Sequence, residues 1–438
     1  MNINIKETTM ICPAQELNNQ HLYLSNIDLF LQRSQNSKVY IYKSNTDSFD
    51  IKLLKEALRK VLVQFYPVAG RLGRDDKGRL QINCNGDGVL FIEAETDSTV
   101  EELGGDLMLN EQILQLIPSI DYSKTDILSS FPLLVLQVTK FRCGGLSLGT
   151  QWHHILSDGS GYILFAKAWC EIARGLLVSH PPFIDRTILR NQVTRKPKFQ
   201  HFEYDKLPPV NNTDPTQNNT RTELFNITLE QLNALKSKVQ EENSNNGYGK
   251  TKFSSYEILT AHIWRCTCKA RGLSNDQATK LNIAVDGRSR LKPPLPSGYF
   301  GNALFLASSI ALAGDIGSET LKETVERIRK AINRMDNEFL RSAMDYIDGV
   351  DDIMAIVRGP EFCRCPNLSI VSWMRLPFYS LDFGMGKPLC MRPPNPVEGK
   401  GYIVATPSNE IDGSWVLILC LEVHHMQFFK NLFYDELL

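Results

Sequence analysis

The chain reads Gly149-Thr-Gln-Trp-His153-His154-Ile-Leu-Ser-Asp158-Gly159 between a strand-like segment and a helix-like segment. Leu134-Val-Leu-Gln-Val-Thr alternates as a strand does, and residues 162–174 carry apolar side chains at helical spacing. His154 is therefore predicted at a strand-to-helix corner, where a side chain can be held rigidly and still be accessible. The corner makes His154 a candidate catalytic residue, with a structural histidine as the alternative.

Asp158 follows His154 by four residues and admits two roles. It could orient the imidazole as a member of a catalytic triad, or it could pair with a distant arginine and fix the corner. The second role is favoured, because an aspartate in the same tight turn is poorly aimed at the ring. No Gly-X-Ser-X-Gly elbow accompanies the motif, which argues against a serine hydrolase. His153 is interpreted as a packing residue.

The composition is that of a globular protein close to charge neutrality. Its 438 residues are 42% hydrophobic and 22% charged, with a formal net charge of −1, and this length favours two domains. Near-neutral charge without a basic run argues against nucleic acid as a partner. A polar N-terminus and short apolar runs predict a cytoplasmic protein that binds no membrane. The ten cysteines lack zinc-site spacing, so we expect no metal.

The order of strand-like and helix-like segments predicts a mixed α/β (α+β) protein. Residues 80–85 and 89–95 flank a Gly-Asp-Gly sequence and are predicted to form a β-hairpin. Residues 181–222 are rich in Pro, Asn and Thr, which is typical of a crossover linker. We therefore expect an N-terminal domain over residues 1–180 and a C-terminal domain over residues 223–438.

Two motifs in this order resemble the BAHD family of plant acyl-CoA-dependent acyltransferases. The family's HxxxD stands here as His154-Ile-Leu-Ser-Asp158, and its DFGWG stands as Asp382-Phe-Gly-Met-Gly386. Further matching segments are Phe65-Tyr-Pro-Val-Ala-Gly-Arg71, Asp286-Gly-Arg-Ser-Arg290 and Pro296-Ser-Gly-Tyr-Phe-Gly-Asn302. Within the family the chain looks most similar to hydroxycinnamoyl-CoA transferases acting on shikimate or quinate. The alternative is a spermidine hydroxycinnamoyltransferase.

The resemblance implies two chloramphenicol-acetyltransferase-like domains with a tunnel between them. Acyl-CoA would be a co-substrate, the acceptor a small molecule of plant phenylpropanoid metabolism, and the protein a monomer without a cofactor. His154 would act as general base, and Trp373 would donate its indole N–H to the developing oxyanion. Asp158 would turn away from the tunnel and pair with Arg288. The residues implied to shape the fold outside the site are Asp382, Gly384 and Gly386.

The resemblance also implies binding residues for CoA, and these come from three segments of the C-terminal half. They are Lys252, Ser254, Ser255, Ala284, Asp286, Arg290, Ile370 and Ser372. Two serines at a predicted helix N-terminus suit phosphate, since backbone N–H groups point outward there.

The acyl and acceptor pocket implied by the resemblance comprises Gln35, Lys38, Tyr40, Arg358 and Val371. Arg358 matches an arginine that holds the acceptor carboxylate in shikimate transferases, whereas a cationic polyamine has no use for it. Gln35, Lys38 and Val371 stand where those transferases carry His, Ser and Thr, so the acyl donor and the acceptor stay open.

Three hypotheses of function follow from these residues. The first is O-acylation of a carboxylate-bearing alcohol, the second is N-acylation of a polyamine, and the third is a non-catalytic acyl-CoA binder. The presence of His154, Asp158 and Trp373 together favours catalysis over simple binding.

Overall fold

The computed structural model describes residues 1–31, 35–43, 50–104, 111–118, 128–190, 196–205, 219–244, 252–351, 353, 356, 362–407 and 412–437. Its helices are α1 (Asn26–Phe30), α2 (Ile51–Gln64), α3 (Gly159–Ala173), α4 (Leu229–Ser244), α5 (Ser255–Arg271), α6 (Ala313–Ser318), α7 (Leu321–Asn333), α8 (Asn337–Asp348) and α9 (Val423–Asp435). Among the described helices, none combines the length and the hydropathy that crossing a membrane requires.

The strands form two large sheets and one small sheet. They are β1 (Asn4–Ile11), β2 (Gln20–Tyr23), β3 (Lys38–Tyr42), β4 (Arg71–Arg74), β5 (Leu80–Cys84), β6 (Val89–Thr96), β7 (Leu134–Phe141), β8 (Leu146–Trp152), β9 (Thr220–Ile227), β10 (Ala278–Asp286), β11 (Leu304–Leu312), β12 (Leu368–Ser372), β13 (Cys390–Arg392), β14 (Lys400–Ala405) and β15 (Trp415–Glu422). The first sheet has the order β1-β6-β7-β8-β3-β13, the second β11-β10-β12-β14-β15-β9, and the small sheet β2-β5-β4. The predicted mixed α/β fold with two sheet-rich halves is confirmed.

The strand-to-helix corner predicted at His154 is present. β7 pairs antiparallel with β8, and β8 ends one residue before His153. Asp158 caps α3 by accepting from the N–H groups of Ser160 and Gly161, which are among the donors that a helix start leaves unpaired. Trp169 of α3 donates its indole N–H to the carbonyl of Leu54 in α2, so the two helices cover one face of the first sheet.

The hairpin predicted from residues 80–85 and 89–95 is wrong. β5 pairs with β2 and β4 in the small sheet, whereas β6 pairs with β1 and, in parallel, with β7. Gly88 has a φ of 95°, and a Cβ atom there would lie 2.5 Å from the carbonyl oxygen of Ile11. The chain thus passes tightly against β1 at this glycine instead of folding back on β5.

The segment predicted as a linker is largely exposed where the structure describes it, but one of its arginines is anchored in the interior. Arg186 is fully buried and donates to the carbonyls of Ile155 and Leu156 in the turn after His154. β9 already begins at Thr220, before the predicted end of the linker. Residues 206–218 lie outside the described residues, and the domain limits stay a prediction.

The C-terminal half contributes a strand to the first sheet. β13 pairs antiparallel with β3, with Met391 opposite Tyr40. The loop before β13 carries Asp382, whose side chain accepts from the N–H groups of Gly384 and Gly386 at 2.8 and 2.9 Å. Both glycines have left-handed φ values, 101° and 94°, which side chains with a Cβ rarely adopt. This motif therefore shapes the connection between the two halves.

Candidate active site

Asn302 holds the ring of His154 in a defined orientation. His154 Nδ1 lies 3.1 Å from Asn302 Oδ1. Asn302 Nδ2 donates to the carbonyl of His154 and to Asp28 Oδ1, each at 2.8 Å. Because both of these partners are acceptors, the amide nitrogen must face them and Oδ1 must face the ring. Nδ1 therefore carries the proton, and Nε2 keeps the lone pair that a general base needs.

The buried ion pair of Asp28 and Arg186 holds Asn302 in place. Asp28 is fully buried in α1, accepts from the backbone N–H of Asn302 at 3.1 Å, and pairs with Arg186 at 3.2 Å. The same arginine donates to the turn after His154, so one network holds both His154 and Asn302. No role of Asn302, Asp28 or Arg186 is predicted from the sequence. The signal for Asn302 is the family segment Pro296–Asn302, which ends at it.

Asp158 is directed toward Arg288. Arg288 Nη1 and Nη2 donate to the two carboxylate oxygens of Asp158 at 2.8 and 2.9 Å. The N–H of Ala303 donates to Asp158 Oδ2 at 3.0 Å. Burial alone would raise the pKa of the Asp158 carboxyl, but Arg288 and these N–H donors hold it below its usual range. Asp158 thus ties the corner to the second half of the chain.

Burial keeps the imidazole of His154 neutral. It lowers the pKa of His154 to about 4, and the charge of Lys400 acts in the same direction while Asp158 opposes it. The neighbouring His153 is buried, and its pKa is likewise lowered to about 4, mainly by burial. A neutral ring at physiological pH is the form that can accept a proton from a substrate.

The lowered pKa of His154 predicts the pH at which the reaction rate falls in acid. In the unfolded chain the pKa of this imidazole is 6.5 and in the folded protein it is about 4, so the neutral form is present above about pH 4 and is lost below it. We expect kcat/KM to stay constant between about pH 7 and about pH 5 and to fall near pH 4. The measurement is kcat/KM against pH at saturating acyl donor.

The control for this profile is the folded fraction measured by circular dichroism at each pH. The unfolded chain binds protons at the depressed histidines from about pH 6.5 downward, so stability also decreases in this window. An acid limb near pH 6.5 in fully folded protein would contradict the assignment of His154 as the titrating base.

Trp373 lies on the face of the second sheet that meets the first half of the chain. Its ring packs against Phe378 and Tyr402, with centroid separations of 5.3 and 4.9 Å. The following loop touches the start of α3, since a Cβ on Gly159 would lie 2.6 Å from Leu376 Cδ1. Trp373 Nε1 donates to no described residue, so its N–H is available to a substrate oxygen.

The predicted acyl pocket borders the same region. Tyr40 lies 6.4 Å from Phe378, ring centroid to ring centroid, and its buried hydroxyl lies beside the hydroxyl of Tyr162. Lys38 is fully buried on the same face of β3, with Nζ 3.5 Å from the ring centroid of Tyr162. Burial holds the pKa of the Lys38 ammonium well below its usual range. Tyr40 and Lys38 thus present polar groups in an otherwise apolar region.

The other predicted pocket residues differ in their exposure and in their location. Gln35 is exposed and forms an isolated bridge to His153. Val371 lies opposite Tyr402 in the sheet register, on the face that carries Trp373. Arg358 lies outside the described residues, so its role stays a prediction.

The predicted phosphate site at the start of α5 is a capping box. Ser254 Oγ accepts from the N–H of Glu257 and donates to its carboxylate. Arg329 pairs with the same carboxylate at 2.7 Å. Lys252 is exposed just before the cap, and Ser255 begins the helix. The helix start therefore already carries a carboxylate with its own cation, and binding of CoA here stays a prediction.

The strand residues predicted for CoA fall on two faces of the second sheet. The side chain of Ile370 is fully buried, and its carbonyl accepts from the hydroxyl of Tyr256 at 2.8 Å. The parallel register of β10 and β12 places Ala284 and Asp286 on the opposite face. Ser372 is exposed at the end of β12.

Arg290 is engaged by a neighbouring helix. Its Nη1 donates to the carbonyl oxygens of Ile332 and Met335 at 3.1 and 2.9 Å. A cation at the C-terminal end of α7 stabilises that helix. A contact between Arg290 and CoA phosphates stays a prediction.

One group in the described part of the chain has the ligand types of a metal site, and it lies outside the candidate active site. His262, Cys266 and Glu436 place their donor atoms within 4.8 Å of one another. These atoms already have partners in the protein: His262 Nε2 donates to the carbonyl of Phe433 at 2.9 Å, and Glu436 pairs with Lys269 at 2.6 Å. The cluster is therefore explained by packing between α5 and α9.

Comparison with known proteins agrees with this architecture. A hydroxycinnamoyltransferase of Narcissus pseudonarcissus is 45% identical over 449 residues, and a shikimate O-hydroxycinnamoyltransferase of Nicotiana tabacum is 45% identical over 447 residues, each covering 99% of this chain and 100% of the relative. The crystal structure of vinorine synthase has the same fold, with a TM-score of 0.75 and 23% identity over 98% of this chain and 96% of that chain. The sequence model of the Transferase family matches residues 1–436, and the chain belongs to this family, the BAHD acyltransferases.

Proposed function

We propose that the protein transfers a hydroxycinnamoyl-type group from CoA to the hydroxyl of a carboxylate-bearing acceptor such as shikimate or quinate, with His154 as general base. The full-length relatives named for hydroxycinnamoyl transfer support the acyl group. The name of the tobacco relative supports shikimate as the first acceptor to test.

The orientation of the His154 ring carries the proposed mechanism. Asn302 accepts from Nδ1–H, so Nε2 is the atom that takes the proton of the acceptor hydroxyl. The acceptor oxygen then forms a bond to the thioester carbonyl carbon, and the carbonyl electron pair moves to its oxygen. We assign the N–H of Trp373 as the donor to that oxyanion.

Collapse of this intermediate completes the transfer. The carbonyl re-forms, the carbon–sulfur bond breaks, and CoA leaves as a thiolate. The imidazolium returns its proton to the thiolate, which restores neutral His154 for the next cycle. Because the acyl group passes directly from sulfur to oxygen, no acyl-enzyme forms.

The acceptor class is tested with a matrix of substrates. p-Coumaroyl-, caffeoyl- and benzoyl-CoA are each offered with shikimate, quinate, malate, an aryl-lactate and spermidine, and the release of free thiol and the product mass are measured. We expect the highest kcat/KM with a hydroxy acid. Preferred acylation of spermidine would instead establish the N-acyltransferase alternative.

A further inference from the structure

Lys400 faces the junction of the two halves of the chain. It is the first residue of β14, and the sheet register sets it beside Ser369 and sets Tyr402 beside Val371. Alternate residues of a strand share a face, so Lys400 and Tyr402 point the same way. Tyr402 belongs to the core cluster that includes Trp373 and the first sheet, whereas Ile403 belongs to the core under the helices of the second half.

The ammonium group of Lys400 reaches the candidate reaction centre. Nζ lies 4.9 Å from the ring centroid of Tyr402, and that ring lies 4.9 Å from the ring of Trp373. The charge also acts on His154, where it adds to the lowering of the imidazole pKa. Lys400, Tyr402 and Trp373 thus form a row on this face of the second sheet.

Lys400 differs from the two arginines around this centre, because it has no counter-charge among the described residues. Arg288 pairs with Asp158 at 2.8 Å, and Arg186 pairs with Asp28 at 3.2 Å. Within the part of the chain that the structure describes, no carboxylate lies within ion-pair distance of Lys400 Nζ, and its recorded contact is the ring face of Tyr402. A half-buried ammonium has three N–H donors to satisfy. None of the described residues accepts from these donors, so they are open to a ligand.

Two anionic molecules could bind Lys400: acyl-CoA through its phosphates, or the acceptor through its carboxylate. The position of Lys400 favours the acceptor. The predicted phosphate site is at the start of α5, which contacts the other face of β12 through the hydroxyl of Tyr256. Lys400 lies on the face of Trp373, which it shares with Ala284 and Asp286 of the predicted CoA residues. It lies on the opposite side of the sheet from α5, so an anion at Lys400 is expected to belong to the molecule that is acylated, and the KM of the acyl donor tests the alternative.

We propose that Lys400 binds the carboxylate of the acceptor and thereby selects hydroxy acids over neutral alcohols and polyamines. This inference rests on the proposed function and adds a specificity residue to it. An ammonium–carboxylate contact in a half-buried site is a charge-assisted hydrogen bond, which is stronger than a neutral one. The same charge repels a cationic acceptor.

The test compares an acid acceptor with its uncharged ester. Wild type, Lys400→Met and Lys400→Arg are assayed with shikimate and methyl shikimate at saturating p-coumaroyl-CoA, and with quinate and its methyl ester if quinate is the better substrate. For Lys400→Met we expect kcat/KM to fall about ten- to a hundred-fold with the acid and to change little with the ester. Lys400→Arg should keep most of the preference. The KM of the acyl donor should be unchanged.

A matched surface lysine serves as control. Lys198 also lies over a ring, with Nζ 5.7 Å from the centroid of Phe199, but it is exposed and pairs with Glu338. Lys198→Met is expected to retain wild-type kinetics. A second measurement excludes a merely structural effect, because loss of the Lys400 charge should move the acid limb of kcat/KM to higher pH.

The outcomes separate this inference from the function on which it rests. Wild type that acylates neither acid, or prefers spermidine, refutes the proposed function and the inference with it. Wild type that prefers the acid, together with Lys400→Met that prefers it equally, refutes the inference alone. Equal losses with acid and ester, or a raised KM for the acyl donor, also refute it and assign Lys400 to the fold or to CoA.

Discussion

Replacing His154 with Gln is expected to lower kcat/KM by about a thousand-fold, because a positioned general base contributes on the order of 10²–10⁴ to such a reaction. Gln is polar and close in size, and its amide lies near the position of Nε2, so the fold should persist although the hydrogen bond from Nδ1–H to Asn302 is lost. It cannot take up a proton at neutral pH. Thioester turnover in the presence of acceptor, read by thiol release, is the measurement.

The adjacent histidine provides a matched control. His153 is buried, and its Nδ1 accepts from the N–H of Ile155 at 3.3 Å. His153→Asn preserves an acceptor at this place and should retain most of the activity. If His154→Gln kept more than about a tenth of wild-type turnover, the hypothesis of a non-catalytic acyl-CoA binder would regain support.

Replacing Asp158 with Ala is expected to lower the free energy of unfolding by about 3–5 kcal/mol, because it leaves the charge of Arg288 without its main partner in a largely buried position. The substitution also removes the acceptor of three backbone N–H groups, those of Ser160, Gly161 and Ala303. Urea unfolding followed by circular dichroism measures the change.

The control variant Asp286→Asn removes the other, more exposed carboxylate that contacts Arg288. Asp286 also contacts Arg288, at 3.1 Å, but its side chain is 47% exposed. Its loss should cost less than about 1 kcal/mol. A stable Asp158→Ala protein that loses only kcat would contradict the structural role and restore Asp158 as a catalytic partner of His154.

The corner at His154 could be predicted because its signals are local. Period-two alternation before the motif and helical spacing after it determine the strand and the helix, and Asp158 falls where a helix cap is needed. The direction of Asp158 followed from a steric argument about a short turn. These features need no knowledge of distant parts of the chain.

The residues that orient the base could not be found in this way. Asn302 is 148 residues from His154 in sequence, and it is 274 residues from Asp28. Periodicity shows which face of an element is buried but not which distant side chain meets it. The hairpin prediction failed for the same reason, since β5 and β6 each look like a strand and only the tertiary fold decides their partners.

β13 has a consequence for how the chain acquires its fold during synthesis. This three-residue strand covers the edge of β3, which would otherwise present unpaired backbone groups. A nascent chain that has released only the first half from the ribosome therefore holds an incomplete first sheet with an open edge. The edge stays open until Arg392 has been translated. A fragment ending near residue 180 would lack part of its own sheet.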